Sequence, residues 1–472
     1  MGQEIYSSNF SESDFAEFER RLISETLLLE EWFMDGHIGD QGKIGGLELE
    51  ACILDSQGDP APLNQVLLQG LDDRFVVPEL ATFNLEINTT PRTLRQDALH
   101  KMYQELQGVW QACNLEAEKF SAQMGMVGIL PTLRQTDLSL ENMSPLNRYR
   151  ALNDQVFKLR RGLPVELHID GSESLDLCHD DVMLESAATS FQIHLQVAAS
   201  QAAKLYNLSK IVSAPMVALS ANSPYLFGRN LWDETRIPLF EQSISVGASD
   251  LTKRVSFGIR YLYQSMMESF RANLQRYPVL LPRLMDEPLE KLAHLRLHNG
   301  TIWRWNRPLI GFDEHDRAHL RIEHRVVSAG PSMIDMIANA AFYFGLVTGL
   351  AERYERPEAE MGFIRARSNF YQAARYGLRS HLYWFGWQSL PAGRLISEQL
   401  LPISRQGLLS LGIDSESVDH WLEIIRQRVT LGVNGAIWQK QWVAKYGLDM
   451  RGLTKAYLER QESGKPVHEW DI

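Results

Sequence analysis

The sequence predicts an α+β fold in which a mixed region is followed by a mainly helical last third. Residues 11–31 carry apolar side chains at helical spacing, after a Ser- and Glu-rich start that can cap a helix. Between residues 45 and 197, short alternating segments are mixed with helical ones, such as 96–122 between two strand-like regions. After Pro331 the apolar spacing is mainly helical. Together these patterns are typical of an α+β protein.

The length of 472 residues is beyond the usual size of one compact core. Because the chain shows no internal repeat or flexible linker, the boundaries between its parts are soft. We expect an N-terminal helical segment over 1–40, a main domain over 41–355 and a C-terminal helical region over 356–472. The polar, irregular stretch 148–180 is interpreted as a long functional loop.

The formal net charge of -12 argues against a nucleic acid or an anionic membrane as a partner, because phosphate binding needs a basic surface. The first residues show no basic segment followed by an apolar one, so no signal peptide is expected. The most apolar stretch, 333–350, contains Asp335 and Asn339 and is interpreted as a buried core helix. These features predict a cytoplasmic protein.

The run GLELEACILD at residues 46–55 alternates apolar and polar side chains as a strand does. The alternation puts Glu48 and Glu50 on one face, about 7 Å apart, and Leu47 and Leu49 on the other. This separation suits two cations, and two carboxylates so close together are unfavourable to bury without them. A half-exposed strand with solvated glutamates is the alternative.

A second strand-like run, FNLEINTTPR at residues 83–92, also places a glutamate opposite an apolar face. Glu86 shares that polar face with two asparagines. Glu79 follows a proline just upstream, where a loop or the start of a strand could add another carboxylate. The run therefore adds Glu86 and Glu79 to the candidate carboxylates.

The run FQIHLQV at residues 191–197 alternates strictly, which places Gln192, His194 and Gln196 on one strand face. A histidine flanked in this way by two glutamines suits a wall that contacts a nucleotide or a metal ion. A structural histidine is the alternative for His194.

A turn-rich stretch carries Arg229 and Arg236. The planar guanidinium group can bind a substrate carboxylate through two hydrogen bonds. Pairing with the nearby Asp233, Glu234 or Glu241 is the structural alternative.

In RIEHR, residues 321–325, the alternation puts Arg321, Glu323 and Arg325 on one face and His324 on the other. A carboxylate for a metal ion beside guanidinium groups for phosphate is what phosphoryl transfer requires. A ladder of salt bridges between paired strands is the alternative.

In their order along the chain, these segments resemble the glutamate-cysteine ligase family and its carboxylate-amine ligase relatives, whose fold is related to glutamine synthetase. No P-loop, dinucleotide-binding, serine-hydrolase or zinc-protease motif accompanies them. The resemblance covers roughly residues 45–340. It rests on the runs GLELEACILD, FNLEINTTPR, FQIHLQV, LSANSPYLFGR with Thr235-Arg236, and RIEHR.

The resemblance implies a mainly antiparallel, funnel-like sheet with helices on its outer face and magnesium ions on its polar face, between ATP and glutamate. By similarity, His194 and Gln196 would line the nucleotide site. Arg325 would contact the nucleotide and the transferring phosphoryl group, and Arg236 would bind the substrate carboxylate. The metal ligands by similarity are Glu48, Glu50, Glu79, Glu86 and Glu323.

The resemblance also implies that 41–355 is a ligase domain that passes the γ-phosphoryl group of ATP to the side-chain carboxylate of glutamate. An amine then attacks the acyl phosphate. The family implies cysteine as that amine, and glutathione biosynthesis as the setting. A ligase for another amine, a non-catalytic homologue that binds a nucleotide or a partner, and a scaffold with a structural acidic face are the alternatives. His324 and the C-terminal third depart from the family pattern.

Overall fold

A computed structural model describes residues 4–5, 8–71, 73–246, 253–386 and 388–472. Its strands are β1 (Ile44–Asp55), β2 (Val76–Pro78), β3 (Asn84–Asn88), β4 (Arg92–Thr93), β5 (Ala122–Gly125), β6 (Val165–Asp170), β7 (Ser174–His179), β8 (Ser190–Val197), β9 (Tyr225–Leu226), β10 (Arg229–Asn230), β11 (Asn306–Phe312), β12 (Ala318–Ser328), β13 (His381–Trp384) and β14 (Gln388–Pro391). Its helices are α1 (Glu12–Asp35), α2 (Asn64–Leu71), α3 (Ala98–Glu118), α4 (Asn147–Leu159), α5 (Ala202–Ser220), α6 (Arg236–Ser243), α7 (Met267–Arg276), α8 (Ala293–Gly300), α9 (Met333–Arg353), α10 (Pro357–Glu360), α11 (Phe363–Tyr376), α12 (Ala392–Leu395), α13 (Leu401–Leu411), α14 (Ser415–Leu431), α15 (Gly435–Tyr446) and α16 (Met450–Glu462).

The central sheet is antiparallel and follows the order β11–β12–β8–β1–β3–β2, with β4 and β5 also paired to β1. The four alternating runs of the sequence form its strands β1, β3, β8 and β12. The predicted α+β class, with a mainly antiparallel sheet and a helical C-terminal part, is therefore confirmed.

The strand register brings the polar faces of these runs together. Glu50 lies opposite Glu86, Glu48 opposite Gln192, and His194 opposite Glu323. Because paired residues in an antiparallel sheet point to the same side, the side chains of all four runs converge on one face. The pairing of β12 with β8 shifts register between residues 324 and 327.

The opposite face of the sheet is apolar and packs against α3, α5 and α9. Leu49, Leu85 and Ile193 are fully buried there. His324 lies on this face, as its position in the alternation predicts, and its ring stacks on Tyr343 of α9 with the centroids 4.2 Å apart. Burial lowers the pKa of His324 to about 3, so this histidine is a neutral core residue.

The predicted N-terminal helix is confirmed as α1. It begins at a capping box in which Ser11 and Asp14 bond each other's backbone, and Gly36 ends it in the left-handed conformation at φ 70°. Its buried face packs against α7 and α8. There Glu25 bonds His294 Nδ1 at 2.6 Å, which ties the helix to the main domain.

The interpretation of 148–180 as a long loop is wrong. Helix α4 occupies its first part, and strands β6 and β7 form a hairpin in the rest. The residues VELHID of β6 alternate between buried and exposed positions. Charged and polar residues stand between the apolar ones in this short strand, so its sequence resembles that of a polar loop. A helix and a hairpin therefore replace the predicted loop.

The predicted helical C-terminal part contains one departure, the hairpin β13–β14. Helix α9 is long and apolar enough to cross a membrane, but 89% of its apolar window is buried inside the protein, as a core helix requires. One hydrophobic core includes residues from 1–40, 41–355 and 356–472. The boundaries between these three parts stay a prediction.

We expect Arg428→Met to lower the free energy of unfolding by about 3 to 5 kcal/mol, because it leaves a buried carboxylate unpaired. Arg428 of α14 donates to Asp335 Oδ1 and to Asn339 Oδ1 of α9, both at 2.7 Å, and the Arg428–Asp335 pair is inaccessible to solvent. Urea unfolding measures the change. The control Arg426→Met removes an exposed arginine from the same helix and should leave the midpoint near that of the unmodified protein. Equal midpoints for both variants would contradict this role for the pair.

Candidate active site

Six of the side chains that the sequence singled out converge on the polar face of the sheet in two groups of three. Glu48, His194 and Glu323 form the first group, and their potential ligand atoms all lie within 4.8 Å of one another. Glu50, Glu79 and Glu86 form the second group at the same spacing. Glu48 and Glu50 thus belong to different groups, in agreement with their separation along β1.

In the first group, two arginines bind Glu323. Arg307 Nη2 lies 2.6 Å from one of its oxygens, and Arg325 Nη1 lies 2.7 Å from the other. Burial opposes ionisation, but these guanidinium groups lower the pKa of Glu323. His194 Nε2 is 3.0 Å from Glu48 Oε1 and, against the effect of burial, lowers the pKa of Glu48. Both carboxylates of this group are therefore ionised.

In the second group, burial and mutual repulsion work in the opposite direction. Burial and then the charge of Glu48 raise the pKa of Glu86 to about 7. Burial and then Glu86 raise the pKa of Glu79 well above its ordinary value. Glu50 accepts hydrogen bonds from the Ser190 amide at 2.6 Å and from Gln192 Nε2 at 2.8 Å, and burial raises its pKa as well. Burial and mutual repulsion therefore outweigh the guanidinium charges of Arg325 and Arg148 that act on this group.

The residues of both groups fit divalent cations. Carboxylate oxygens supply most of the donors, which is the chemistry that magnesium and manganese prefer, and a neutral imidazole also binds such ions. Within the described residues, Glu48 Oε2 and His194 Nδ1 are buried without a hydrogen-bond partner, whereas His194 Nε2 lies beside Glu48 Oε1. Buried polar atoms are rarely left without a partner, so Glu48 Oε2 and His194 Nδ1 mark positions where a ligand belongs.

The three glutamates of the second group line a cavity of about 470 Å³. The sheet forms one wall, and α4, α8 and the segment before β8 form the others. Five arginines line it, namely Arg148, Arg296, Arg307, Arg321 and Arg325. Apolar side chains line other parts of it, including Leu152, Val182, Leu297, Trp303 and Leu309. The cavity therefore offers sites for anions, cations and apolar groups side by side.

Arg325 lies between the two groups. Its Nη1 donates to Gln192 Oε1 at 2.9 Å as well as to Glu323, and its Nη2 lies 4.0 Å from Glu50 Oε1. Burial opposes its charge, but Glu323 and then Glu50 raise the pKa of Arg325 above its ordinary value. A permanent positive charge thus stands beside both sets of possible metal ligands, where a phosphate would need it.

Arg236 is not among the residues that line the cavity, and the expectation that it binds a substrate carboxylate stays a prediction. Its side chain is 2% exposed, and its Nε donates to Glu234 Oε1 at 2.9 Å. Its other nitrogens donate to the carbonyl oxygens of Arg325 and Val326 at 3.2 and 2.7 Å. The structural alternative, pairing with a neighbouring acidic residue, describes this arginine.

Gln196 lies on the polar face opposite Arg321, but it is not among the residues that line the cavity. Its Nε2 donates to the carbonyl oxygen of Gln41 at 3.2 Å. The expectation that Gln196 contacts a nucleotide stays a prediction.

Sequence reasoning missed Glu185, Arg148 and Arg296, which all line the cavity. Arg148 and Arg296 lie in helices and Glu185 lies in a 3₁₀ helix. In such elements the sequence alone does not distinguish a charged residue that faces a cavity from one that faces solvent. Arg307 carried a usable signal, because it follows a Trp-rich run and lies directly opposite Glu323 in the β11–β12 hairpin.

Comparisons with known proteins agree with this fold. A family model described as glutamate-cysteine ligase family 2 (GCS2) matches residues 44–459. The crystal structure of glutamate–cysteine ligase from Francisella tularensis in complex with AMP is similar with a TM-score of 0.57 and 12% identity, over 90% of each chain. A bifunctional glutathione synthetase from Pasteurella multocida gives a TM-score of 0.53 and 12% identity, over 93% of this chain and 53% of that one. No curated protein matches in sequence.

Proposed function

Because this chain belongs to glutamate-cysteine ligase family 2, we propose that it is an ATP- and magnesium-dependent ligase that joins the glutamate γ-carboxylate to an amine, with cysteine as the first acceptor to test. One observation carries the proposal: two groups of three potential metal ligands share a sheet face beside an arginine-lined cavity. The AMP in the Francisella structure supports ATP as the co-substrate. Glutathione biosynthesis in the cytoplasm is the proposed setting.

In this proposal Glu48, His194 and Glu323 hold one magnesium ion, and Glu50, Glu79 and Glu86 hold another. Bound magnesium would neutralise phosphate oxygens and orient them for transfer. The backbone amide of Ser190 and the amide of Gln192 orient Glu50, so its oxygens are positioned before any ligand arrives.

The proposed first step forms a bond between a glutamate γ-carboxylate oxygen and the γ-phosphorus of ATP, and it breaks the bond from that phosphorus to ADP. Arg325, with Arg307 and Arg321 on the same wall, stabilises the negative charge on the phosphoryl oxygens. The amine nitrogen then attacks the carbonyl carbon, phosphate leaves, and the nitrogen loses a proton.

The direct test is ADP release from the purified protein with ATP, magnesium and glutamate, with cysteine or another amine added in turn. Cysteine-dependent release together with a γ-glutamylcysteine mass establishes the proposed reaction. Release with a different amine keeps the ligase and changes the acceptor. ATP binding without ADP release for any amine would instead indicate a non-catalytic homologue.

Magnesium should stabilise the protein more at about pH 8 than at about pH 6, because it binds ionised carboxylates. The pKa of Glu86 is raised from 4.5 to about 7 in the folded protein. Its contribution to stability is therefore present at low pH and is lost as the pH rises through about 7. Magnesium offsets that loss. Thermal unfolding at both pH values, with magnesium or with EDTA at matched ionic strength, measures the difference, and equal stabilisation at both would count against the metal assignment.

A further inference from the structure

Glu185 is a cavity carboxylate that neither group of metal ligands includes. No hydrogen bond or ion pair from the described part of the chain reaches its side-chain oxygens. Burial, and then the charge of Glu50, raise the pKa of Glu185 to about 8. Glu185 is half-buried and faces the cavity without a protein partner, so a cation bound in the cavity would stabilise its ionised form.

The backbone that carries Glu185 is fixed from several sides. It belongs to a 3₁₀ helix, Val182–Ala187, which Asp181 caps by accepting from the Met183 amide at 2.8 Å. Asn153 of α4 accepts from the Val182 amide at 3.2 Å. Asn84 of β3 donates to the Ser186 carbonyl at 3.1 Å, which links the 3₁₀ helix to the sheet. The backbone position of Glu185 is therefore set before a ligand binds.

The surroundings of Glu185 combine charged groups, those of Glu50, Glu79 and Arg325, with the apolar side chains that line the same cavity. Val182 precedes Glu185 by three residues, and side chains at that spacing are aligned in a 3₁₀ helix, so both face the cavity. Leu152 and Ile244 also line it. A hydrated metal ion needs several oxygen ligands, whereas an alkylammonium group needs one carboxylate and apolar surroundings for its carbon atoms.

We propose that Glu185 binds the ammonium group of an amino-acid substrate. This assignment rests on the proposed ligase function, because the reaction uses a carboxylate donor and an amine acceptor that can both carry such a group. The α-ammonium of glutamate and the ammonium of the acceptor share this chemistry. Glu185 is thus a specificity-determining residue. If it binds glutamate, its substitution changes the KM for glutamate, and if it binds the acceptor, its substitution changes the KM for the amine.

The test compares Glu185→Gln with the unmodified full-length protein in two assays with ATP and magnesium. The first uses glutamate with hydroxylamine, which is uncharged at neutral pH, so glutamate supplies the only substrate ammonium. The second varies the amine that supports ADP release, at saturating glutamate. We expect either the KM for glutamate in the first assay or the KM for the amine in the second to rise about 30-fold or more, as when one partner of a charge pair in a binding site is lost. The KM for ATP should stay within about twofold of its original value.

A rise in the KM for glutamate assigns Glu185 to the donor, and a rise only in the KM for the amine assigns it to the acceptor. Glu185→Asp, which keeps the charge, should recover part of the affinity. The matched control Glu166→Gln removes a carboxylate from the exposed face of β6 and should change no KM. The unfolding temperature of Glu185→Gln should be no lower than that of the unmodified protein, because the described residues make no hydrogen bond or ion pair with the Glu185 side chain that the change would remove.

Hydroxamate formation with unchanged KM values for glutamate and amine would overturn the assignment of Glu185 alone. If the unmodified protein forms no hydroxamate and releases no ADP with any amine, the proposed ligase function fails, and this assignment fails with it. The two failures are therefore distinguishable in the same experiment.

Discussion

Glu48→Gln is expected to lower kcat/KM for ADP release by at least about 10³-fold, because it removes a charged ligand from the first metal group. The substitution keeps the shape of the side chain, and one of the two Glu48 oxygens has no protein hydrogen-bond partner to lose. The fold should therefore stay intact. Steady-state kinetics over a range of magnesium concentrations, with circular dichroism as a check of folding, measures both effects.

The control for this variant is Glu105→Gln. Glu105 also accepts hydrogen bonds, from Thr90 and Arg92, but it belongs to neither group of potential metal ligands. Its substitution should change kcat/KM by less than about threefold. Turnover of Glu48→Gln within about tenfold of the unmodified protein would remove Glu48 from the proposed metal site.

Arg325→Lys is expected to lower kcat by about 10³-fold even though it keeps the positive charge. The guanidinium group bonds Gln192 and Glu323 from one nitrogen while the other end reaches toward Glu50. A lysine has one nitrogen and cannot reproduce this fork. Because the effect falls on the transferring phosphoryl group, the KM for ATP should change much less than kcat.

Rapid-quench measurement of ADP formation tests this role, since it reports the phosphoryl transfer itself rather than product release. Arg317→Lys is the matched control, because Arg317 pairs with Asp313 at an exposed turn of the same hairpin. A variant at Arg325 that transferred phosphate at nearly the original rate would show that this arginine serves structure only.

Sequence reasoning found the sheet face because strand alternation is a local property. Each run fixes which of its residues share a side, and Glu48, Glu86, His194 and Glu323 needed only the correct strand order to meet. The resemblance to a known family implied one antiparallel sheet with a polar face, and the structure supplies the strand order. The walls opposite the sheet were not predictable in this way, because Glu185 reaches the cavity only through the packing of distant elements.

The sequence could not decide the role of Arg236 for a similar physical reason. The sequence shows an arginine two residues after Glu234, and nothing local distinguishes an arginine that binds a ligand from one already satisfied inside the protein. The prediction of a loop at 148–180 was wrong for a different reason. Strand β6 alternates correctly, but the charged residues on the exposed side resemble those of a loop.

Where the register between β12 and β8 shifts, Arg236 supplies hydrogen bonds to the backbone of β12. Its guanidinium group donates to two carbonyl oxygens, those of Arg325 and Val326, within the segment where β12 and β8 fall out of step. Since this segment also carries the Arg325 side chain, Arg236 at the start of α6 helps to position the arginine that is proposed to stabilise the transferring phosphoryl group. Loss of Arg236 is therefore expected to slow the proposed reaction through Arg325, even though Arg236 does not line the cavity.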